Sequence, residues 1–386
     1  MKGAAVAIVG GGVIGASVAY HLALAGVRDI IVLDRGPSPG SGSTSRAAGG
    51  FRAQFHTPVN VHLSLLSRSK LMSFADDTGV DPGYDRAGYL WVASTDAEME
   101  ALRDALAVQQ GEGLVEAGEL SVDDIPGANA AISLESVVGA TYCPTDGFIK
   151  PMEILRGYLA AAERLGARIR WDTHALSMER DANGLIRRIG TNRGAIDVEK
   201  VVNAAGAWAA QIAALAGMVL PVSPRRRQVA VSEPTDAVTA GMPMTIFTCD
   251  GFHLRSRDGR AVLCWPTPGS ADDPFDTSVD DEWLELVSSK ARKRIPALSD
   301  VAFPMAQAYA GLYEMSPDSH AILGAAPGCP NMFLANGSSG HGVMHAPAIG
   351  HLLAEIITGM PTTFDVSALR PARFAECAPN PHSWIL

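Results

Sequence analysis

The sequence predicts a mixed α/β chain with α+β character: a parallel-sheet domain flanked by helices, interleaved with a second domain built mainly on antiparallel β-sheet. Three observations predict it. An apolar run at 4–9, a glycine turn, an apolar helical stretch at 13–25 and a second apolar run at 30–33 follow one another, which is the order of a βαβ unit. Residues 220–310 read mainly as short strands. Strand and helix signals alternate along the chain with no internal repeat and no low-complexity linker, so each domain should be woven from several segments. We allot 1–84, 145–218 and 310–386 to the first domain, and 85–144 and 219–309 to the second. A length of 386 residues suits two domains at ~100–200 residues each.

The elements follow in order. Residues 4–9 are short and continuously apolar, as a strand covered on both faces must be. The stretch 13–25 is rich in Ala, Val and Leu and stops near Gly26, a helix end of the left-handed type. The strand 30–33 closes on Asp34. A loop rich in Gly and Ser covers 36–50, and one helix is expected over 59–78. Residues 85–140 mix strand and helix signals, at 88–94 and 97–110. In 151–165 the apolar positions Ile154, Leu155, Tyr158, Leu159, Ala162 and Leu165 keep the 3.6-residue period of an amphipathic helix. Strands are expected at 168–171, 175–179, 185–191 and 200–204. A helix is expected near 280–293, and a last helix over 342–358.

Composition narrows the function classes. The chain is 47% hydrophobic and 19% charged, enough for a sizeable core. A net charge of −10 disfavours a nucleic-acid partner, whose phosphates need a basic surface. It leaves room for a small anionic substrate, since one buried Arg can hold a carboxylate. Five cysteines without a CxxC pair argue against a disulfide framework, a zinc site and an iron–sulfur cluster; no metal is expected, and a reducing cytoplasm fits. The uncharged run 3–27 is broken by Gly10, Gly11, Gly12 and Gly15 and lacks a basic leader, so neither a transmembrane segment nor a signal sequence is expected there.

The first chemical motif is Gly10-Gly11-Gly12-Val13-Ile14-Gly15. Gly10 permits the tight turn, Gly12 lets the backbone approach a pyrophosphate, and Gly15 allows close helix–strand packing. The helix beginning at Val13 and Ile14 would aim free N–H groups and its positive end at the phosphates. Asp34 closes the next strand, where its carboxylate can accept the ribose hydroxyls of an adenosine. An acid there disfavours a 2′-phosphate, so FAD or NAD is expected over NADP. In the following loop, Ser43, Thr44, Ser45, Arg46, Gly49 and Gly50, with Arg35 before them, can crowd the same ligand. Arg46 could meet a pyrophosphate and Arg52 a carboxylate.

Through these motifs the chain resembles the D-amino-acid oxidase, glycine oxidase and sarcosine oxidase superfamily of flavoproteins. The resemblance runs through the glycine turn and Asp34, the Gly-Ser-Thr-Ser-Arg46 loop, and Asp146-Gly-Phe-Ile-Lys-Pro151. It continues in Val201 to Trp208, in Gly311-Leu-Tyr313-Glu-Met-Ser-Pro-Asp318, and in Gly337-Ser-Ser-Gly340-His341-Gly342-Val343-Met344-His-Ala-Pro347. It implies a Rossmann-like FAD domain interleaved with the β-sheet substrate domain. It also implies Ala205, Gly206 and Trp208 close to the cofactor, and the backbone of Ala175 against the adenine. Gly340, His341, Gly342, Val343 and Met344 would pass the flavin ring, where a helix N-terminus stabilises the negative charge of reduced flavin.

Departures from these relatives refine the expectation. The flavin-linking cysteine of sarcosine oxidase falls on Gly311, and the linking histidine of dimethylglycine dehydrogenase-like relatives falls on Arg46, so FAD is expected to be non-covalent. The substrate-carboxylate arginine falls on Arg52, while its lysine partner falls on Met344 and the glycine oxidase arginine falls on Tyr313. Carboxylate binding is therefore assigned to Arg52 with help from the Tyr313 hydroxyl; the alternatives are that Arg52 bonds only backbone or flavin and that Tyr313 simply packs. His253 and Trp265 are pocket candidates on strands that roof the site. The resemblance implies oxidation of a C–N bond in a secondary or tertiary amino acid, with hydride passing to flavin N5 and the imine then hydrolysing. Sarcosine, dimethylglycine, iminodiacetate and proline are of this kind. Glycine or D-amino-acid oxidation, or service as a β-type flavoprotein subunit of a multi-chain amine dehydrogenase, stay open. So do dioxygen or a redox partner as acceptor, and a homo- or hetero-oligomeric state.

Overall fold

The computed structural model describes residues 3–266 and 273–381. The first sheet runs in the order Ile322–Ala326, Cys329–Asn336, Gly194–Asn203, Ala4–Val9, Ile30–Leu33, Arg168–Arg170, with the hairpin strands Ala175–Arg180 and Ile186–Thr191 attached to Gly194–Asn203. Ala4–Val9 lies parallel to both its neighbours, and Val9 is level with Leu33 and Asn203. Alternate side chains of this central strand serve two cores. Val6 and Ile8 pack with the helices Val13–Leu24, Pro151–Arg164 and Gly342–Thr358, while Ala4, Ala7 and Val9 pack beneath Ala209–Leu215 and the hairpin. Burial on both faces is the reason the strand carries no polar alternation.

The second sheet runs in the order Tyr309–Met315, Ser223–Val231, Arg260–Cys264, His253–Arg257, Met244–Phe247, Tyr89–Ala93, Gly139–Cys143, Gly118–Leu120. Every pair is antiparallel except Met244–Phe247 with Tyr89–Ala93. One face buries Leu90, Leu254 and Leu263 under Trp283 and Val287 of the helix Asp281–Arg294. The other face presents Tyr89, Val229, Met244, Ile246, His253 and Cys264 to a cleft shared with the first sheet.

Several expectations are corrected in detail. The helix read over 59–78 is two helices, Pro58–Met72 and Phe74–Thr78, joined at Ser73. The strand read at 200–204 is the end of a ten-residue strand, Gly194–Asn203. The helix Ala209–Leu215 and the strands Tyr309–Met315, Ile322–Ala326 and Cys329–Asn336 were not foreseen. Tyr309–Met315 pairs with Ser223–Val231 in the second sheet, whereas Cys329–Asn336 lies parallel to Gly194–Asn203 in the first. All five cysteines are unpaired thiols. Among the described residues, no helix is long and apolar enough to cross a membrane.

Candidate active site

The cleft between the sheets has a volume of about 540 Å³. At one end its wall is backbone. Gly10 has φ +110° and sits so close to the neighbouring strand end that a Cβ would lie 2.2 Å from the Ala204 carbonyl oxygen. A Cβ on Gly15 would lie 1.9 Å from the Gly10 carbonyl oxygen. A Cβ on Gly12, by contrast, would meet only Thr44 Oγ1 at 3.5 Å. So two of the three motif glycines are required by the chain's own packing, and the third faces open cleft. Thr44 Oγ1 accepts the Val13 N–H at 3.2 Å, which ties the serine-rich loop to the start of the first helix. Asp34 accepts the Gly11 N–H on Oδ2 and the Gly36 N–H on Oδ1, each at 2.6 Å. A carboxylate has about four lone-pair sites, so acceptor capacity is left on the cleft side.

Further along, Arg35 lies 3.7 Å over the Trp208 ring, and Phe275 stacks on Trp208 at 5.5 Å between centroids. Trp171, Thr173, His174 and Ala175 close this region from the first sheet's hairpin side. Gly311 passes against Arg46: a Cβ there would lie 2.8 Å from Arg46 Cβ.

The opposite end is built from side chains. Arg52 is 4% exposed. Its NH1 donates to the Gln54 carbonyl at 2.8 Å and its NH2 to His341 Nε2 at 3.0 Å, and the guanidinium lies over Phe55 and Trp91. Burial lowers its pKa to about 10, so it remains a cation at neutral pH. His341 is held well below the usual imidazole range by burial and by Arg52; it is neutral and accepts through Nε2. The nearby buried carboxyl, Asp146, does not pair with Arg52. It accepts the Ala53 N–H at 2.8 Å and the Gln54 amide at 3.3 Å, and burial pushes its pKa up to about 6. Arg52 is thus a buried cation whose hydrogen bonds to Gln54 and His341 both go to neutral acceptors. Asp146 reaches it only at a distance; a buried charge without a directly bonded counter-ion is costly, and a ligand carboxylate would relieve that cost.

Around Arg52 stand the other candidates. The Tyr313 ring covers Gly340, where a Cβ would be 2.4 Å from the ring, and Arg227 lies 5.3 Å over its face. His253 bonds the Gly251 carbonyl through Nδ1 at 2.9 Å, and burial with Arg52 and Arg227 nearby lowers its pKa to about 4. Trp265 lines the cleft from the next strand, with Lys290 4.5 Å over its ring. Met344 lines it from the first turn of Gly342–Thr358.

Of the residues singled out from sequence, two do not line the cleft. Gly15 is buried against Gly10, and Ser45 is exposed with its hydroxyl turned to the Gly42 carbonyl. The rest line one continuous wall: Gly10, Gly12, Val13, Ile14, Asp34, Arg35, Ser43, Thr44, Arg46, Gly49, Gly50, Arg52, Ala175, Ala205, Gly206, Trp208, His253, Trp265, Tyr313, Gly340, His341, Gly342, Val343 and Met344. Sequence reasoning missed Tyr89, Trp171, Thr173, His174, Glu314 and Ser338, which also line it. A charged residue inside the strand-like stretch 312–315 was the available signal for Glu314; the others had none.

A glycine turn at a helix start, an acid closing the next strand and a long cleft under a second sheet define a dinucleotide-binding oxidoreductase fold. Residues 5–356 match the DAO family, described as FAD dependent oxidoreductase, and the chain belongs to that family. It is 30% identical to FAD-dependent oxidoreductase domain-containing protein 1 of Bos taurus over 96% of this chain and 84% of the relative. It is 28% identical to glycine oxidase of Geobacillus kaustophilus (strain HTA426) over 94% of this chain and 95% of that one. Among solved structures, L-proline dehydrogenase from P. horikoshii superposes with a TM-score of 0.90 at 27% identity, covering 98% of this chain and 100% of the other. The residues present fit FAD. Gly12 leaves its backbone open to the cleft, Asp34 keeps acceptor capacity, and the helix Gly342–Thr358 starts at the cleft with no side-chain cap.

Proposed function

We propose that this oxidoreductase oxidises the C–N bond of a secondary or tertiary amino acid, such as an N-substituted glycine or proline, with FAD held non-covalently. The observation that carries the reading is Arg52, a buried cation bonded to neutral acceptors in the same cleft as the glycine turn. An Arg–carboxylate pair is charge-assisted and often bidentate, so Arg52 orients the substrate by its carboxylate. Neutral His341 holds the guanidinium in place, and Tyr313 and His253 border the space beside it. FAD, when bound, supplies the acceptor for the hydride from the carbon beside nitrogen, leaving an imine for hydrolysis. The likeness to L-proline dehydrogenase, whose named substrate is a secondary amine, supports this over a primary amine. The absence of a linking side chain at Gly311, and its contact with Arg46, support non-covalent binding. Anaerobic bleaching of the flavin by a panel of N-substituted and primary amino acids tests it. Bleaching by primary D-amino acids or glycine alone would overturn the substrate class.

A further inference from the structure

One carboxyl on the cleft wall has no role in the reading above. Asp34 and Glu314 are the acids that line the cleft among the described residues. Asp34 is tied to two backbone N–H groups. Glu314 is not so occupied. It is 8% exposed; its Oε1 accepts a long bond from the Ser338 N–H at 3.3 Å, the Ser338 hydroxyl and the Gly337 N–H add weak support, and no hydrogen bond of ordinary geometry reaches its Oε2. Ser338, 3% exposed and also on the cleft wall, approaches this carboxyl with its hydroxyl but makes no hydrogen bond of ordinary geometry. Burial outweighs the weak hydrogen bonds from Ser338 and Gly337 and, with no cation to help them, pushes the Glu314 carboxyl up to about 7. Unsatisfied buried polar groups are rare in folded proteins, and each calls for an explanation. Two beside each other on a ligand cleft have a common one.

We propose that Glu314 and Ser338 form a polar subsite that binds a hydrogen-bond donor, N–H or O–H, of the molecule filling the cleft. The position favours the cofactor as its source. A Cβ built on Gly342 would lie 3.5 Å from Ser338 Cβ and 3.4 Å from Ile14 Cδ1, so Ser338 adjoins the start of the last helix where that helix meets Ile14 of the first. Both of these helices open their N-termini on the cleft. The other source is the ammonium of the amino-acid substrate. The inference rests on FAD and an amino acid sharing this cleft.

The test uses Glu314→Leu, Glu314→Gln and Ser338→Ala, with three readouts: the FAD dissociation constant from flavin fluorescence on dilution, steady-state kinetics with the amino acid that best bleaches the wild-type flavin, and thermal unfolding with and without added FAD. Leu removes the acceptor and should weaken FAD about tenfold or more; Gln keeps an acceptor oxygen and should stay within about threefold. Ser338→Ala should fall between. Because the carboxyl is unsatisfied without ligand, Glu314→Leu should not lower the unfolding temperature of the FAD-free protein, but should shrink the rise that FAD produces. A structural carboxyl would do the reverse. An unchanged FAD constant with KM raised tenfold assigns the donor to the substrate ammonium. FAD constant and KM both within twofold of wild type in Glu314→Leu and Ser338→Ala overturn the subsite. If no amino acid bleaches the wild-type flavin, the substrate reading fails, while the FAD constants still decide this one.

Discussion

The two ends of the cleft are made differently. At the glycine turn the wall is main chain, brought close because Gly10 and Gly15 carry no side chain and left open to the cleft at Gly12, and Asp34 braces the turn through two N–H groups. At the far end the wall is side chains from segments hundreds of residues apart: Arg52 touches His341, and Tyr313 covers Gly340. The first design suits the cofactor the family shares, since a main-chain wall does not depend on which side chains surround it. The second can be altered one side chain at a time without disturbing the fold, which is what a change of substrate needs.

The largest expected effect breaks the first end. A Val at position 15 would drive its Cβ into the Gly10 carbonyl, 1.9 Å away and backbone on both sides. Gly15→Val should cost about 3 kcal/mol or more and leave little folded, flavin-bearing protein, since overpacking of this kind cannot be relieved by a rotamer change. Gly12→Ala is the control. Gly12 has φ −73° and ψ −177°, which Ala adopts freely, and its Cβ would meet only Thr44 Oγ1 at 3.5 Å. It should unfold like wild type in urea yet bind FAD roughly tenfold less well, a loss of about 1.4 kcal/mol. Equal behaviour of the two variants would show that the glycines do not divide between packing and binding.

That division explains what could be read from sequence. The turn, the first helix and Asp34 were legible because they lie within one βαβ unit and the packing that demands glycine at position 15 is local, although the demand at position 10 comes from the Ala204 carbonyl on a distant strand. The strand Cys329–Asn336 was not, because its place beside Gly194–Asn203 is decided by pairing across the chain, and nothing in its own residues states the partner. Ala209–Leu215 was missed because an alanine-rich stretch has almost no amphipathic signal. At the side-chain end, Arg52 was legible through family resemblance. Its bond to His341 and the Asp146–Gln54 brace were not, since a hydrogen bond between positions 52 and 341 leaves no pattern in either segment. Glu314 shows the same limit: a charge in an apolar strand is visible, but its unsatisfied oxygen is a property of the packed state.

Arg52 is the next largest effect and belongs to the second end alone. Arg52→Lys keeps the charge and loses the planar fork; Arg52→Met loses both. We expect kcat/KM to fall roughly tenfold for Lys and about a hundredfold or more for Met, with part of the loss in kcat because a loosely held substrate wanders from its reactive position. FAD content should stay near wild type. An amine without a carboxylate should lose little further in the Met variant. Equal losses for the two substrates would mean that Arg52 does not read the carboxylate.

Asp34→Ala tests the first end without a clash. It removes the acceptor facing the cleft and frees the Gly11 and Gly36 N–H groups. FAD affinity should fall about ten- to a hundredfold, while kcat at saturating FAD changes little. A matching fall in kcat would join the two ends that the structure separates.

His253→Gln should give the smallest effect, and its interest lies in pH. Nδ1–H donates to the Gly251 carbonyl, which leaves Nε2 as an acceptor beside the cleft. With its pKa lowered to about 4, the ring is neutral throughout the working range and cannot supply a titration near neutrality. Gln keeps a donor and an acceptor, so kcat/KM should drop by only a few-fold, roughly the worth of one neutral hydrogen bond, and the pH profile between about 5.5 and 9 should keep its shape. Stability carries the opposite signature. Between about 4 and 6.5 the unfolded chain binds a proton at this position and the folded chain does not, so stability rises with pH there and is lost on acidification, by at most about 1.4 kcal/mol per pH unit. The Gln variant lacks that slope. Its stability relative to wild type should therefore improve as the pH falls from 6.5 towards 4, in urea unfolding followed by tryptophan fluorescence. A limb near pH 7 that vanished from the kcat/KM profile of this variant would make His253 an acid–base residue and refute its assignment as a neutral wall of the substrate end.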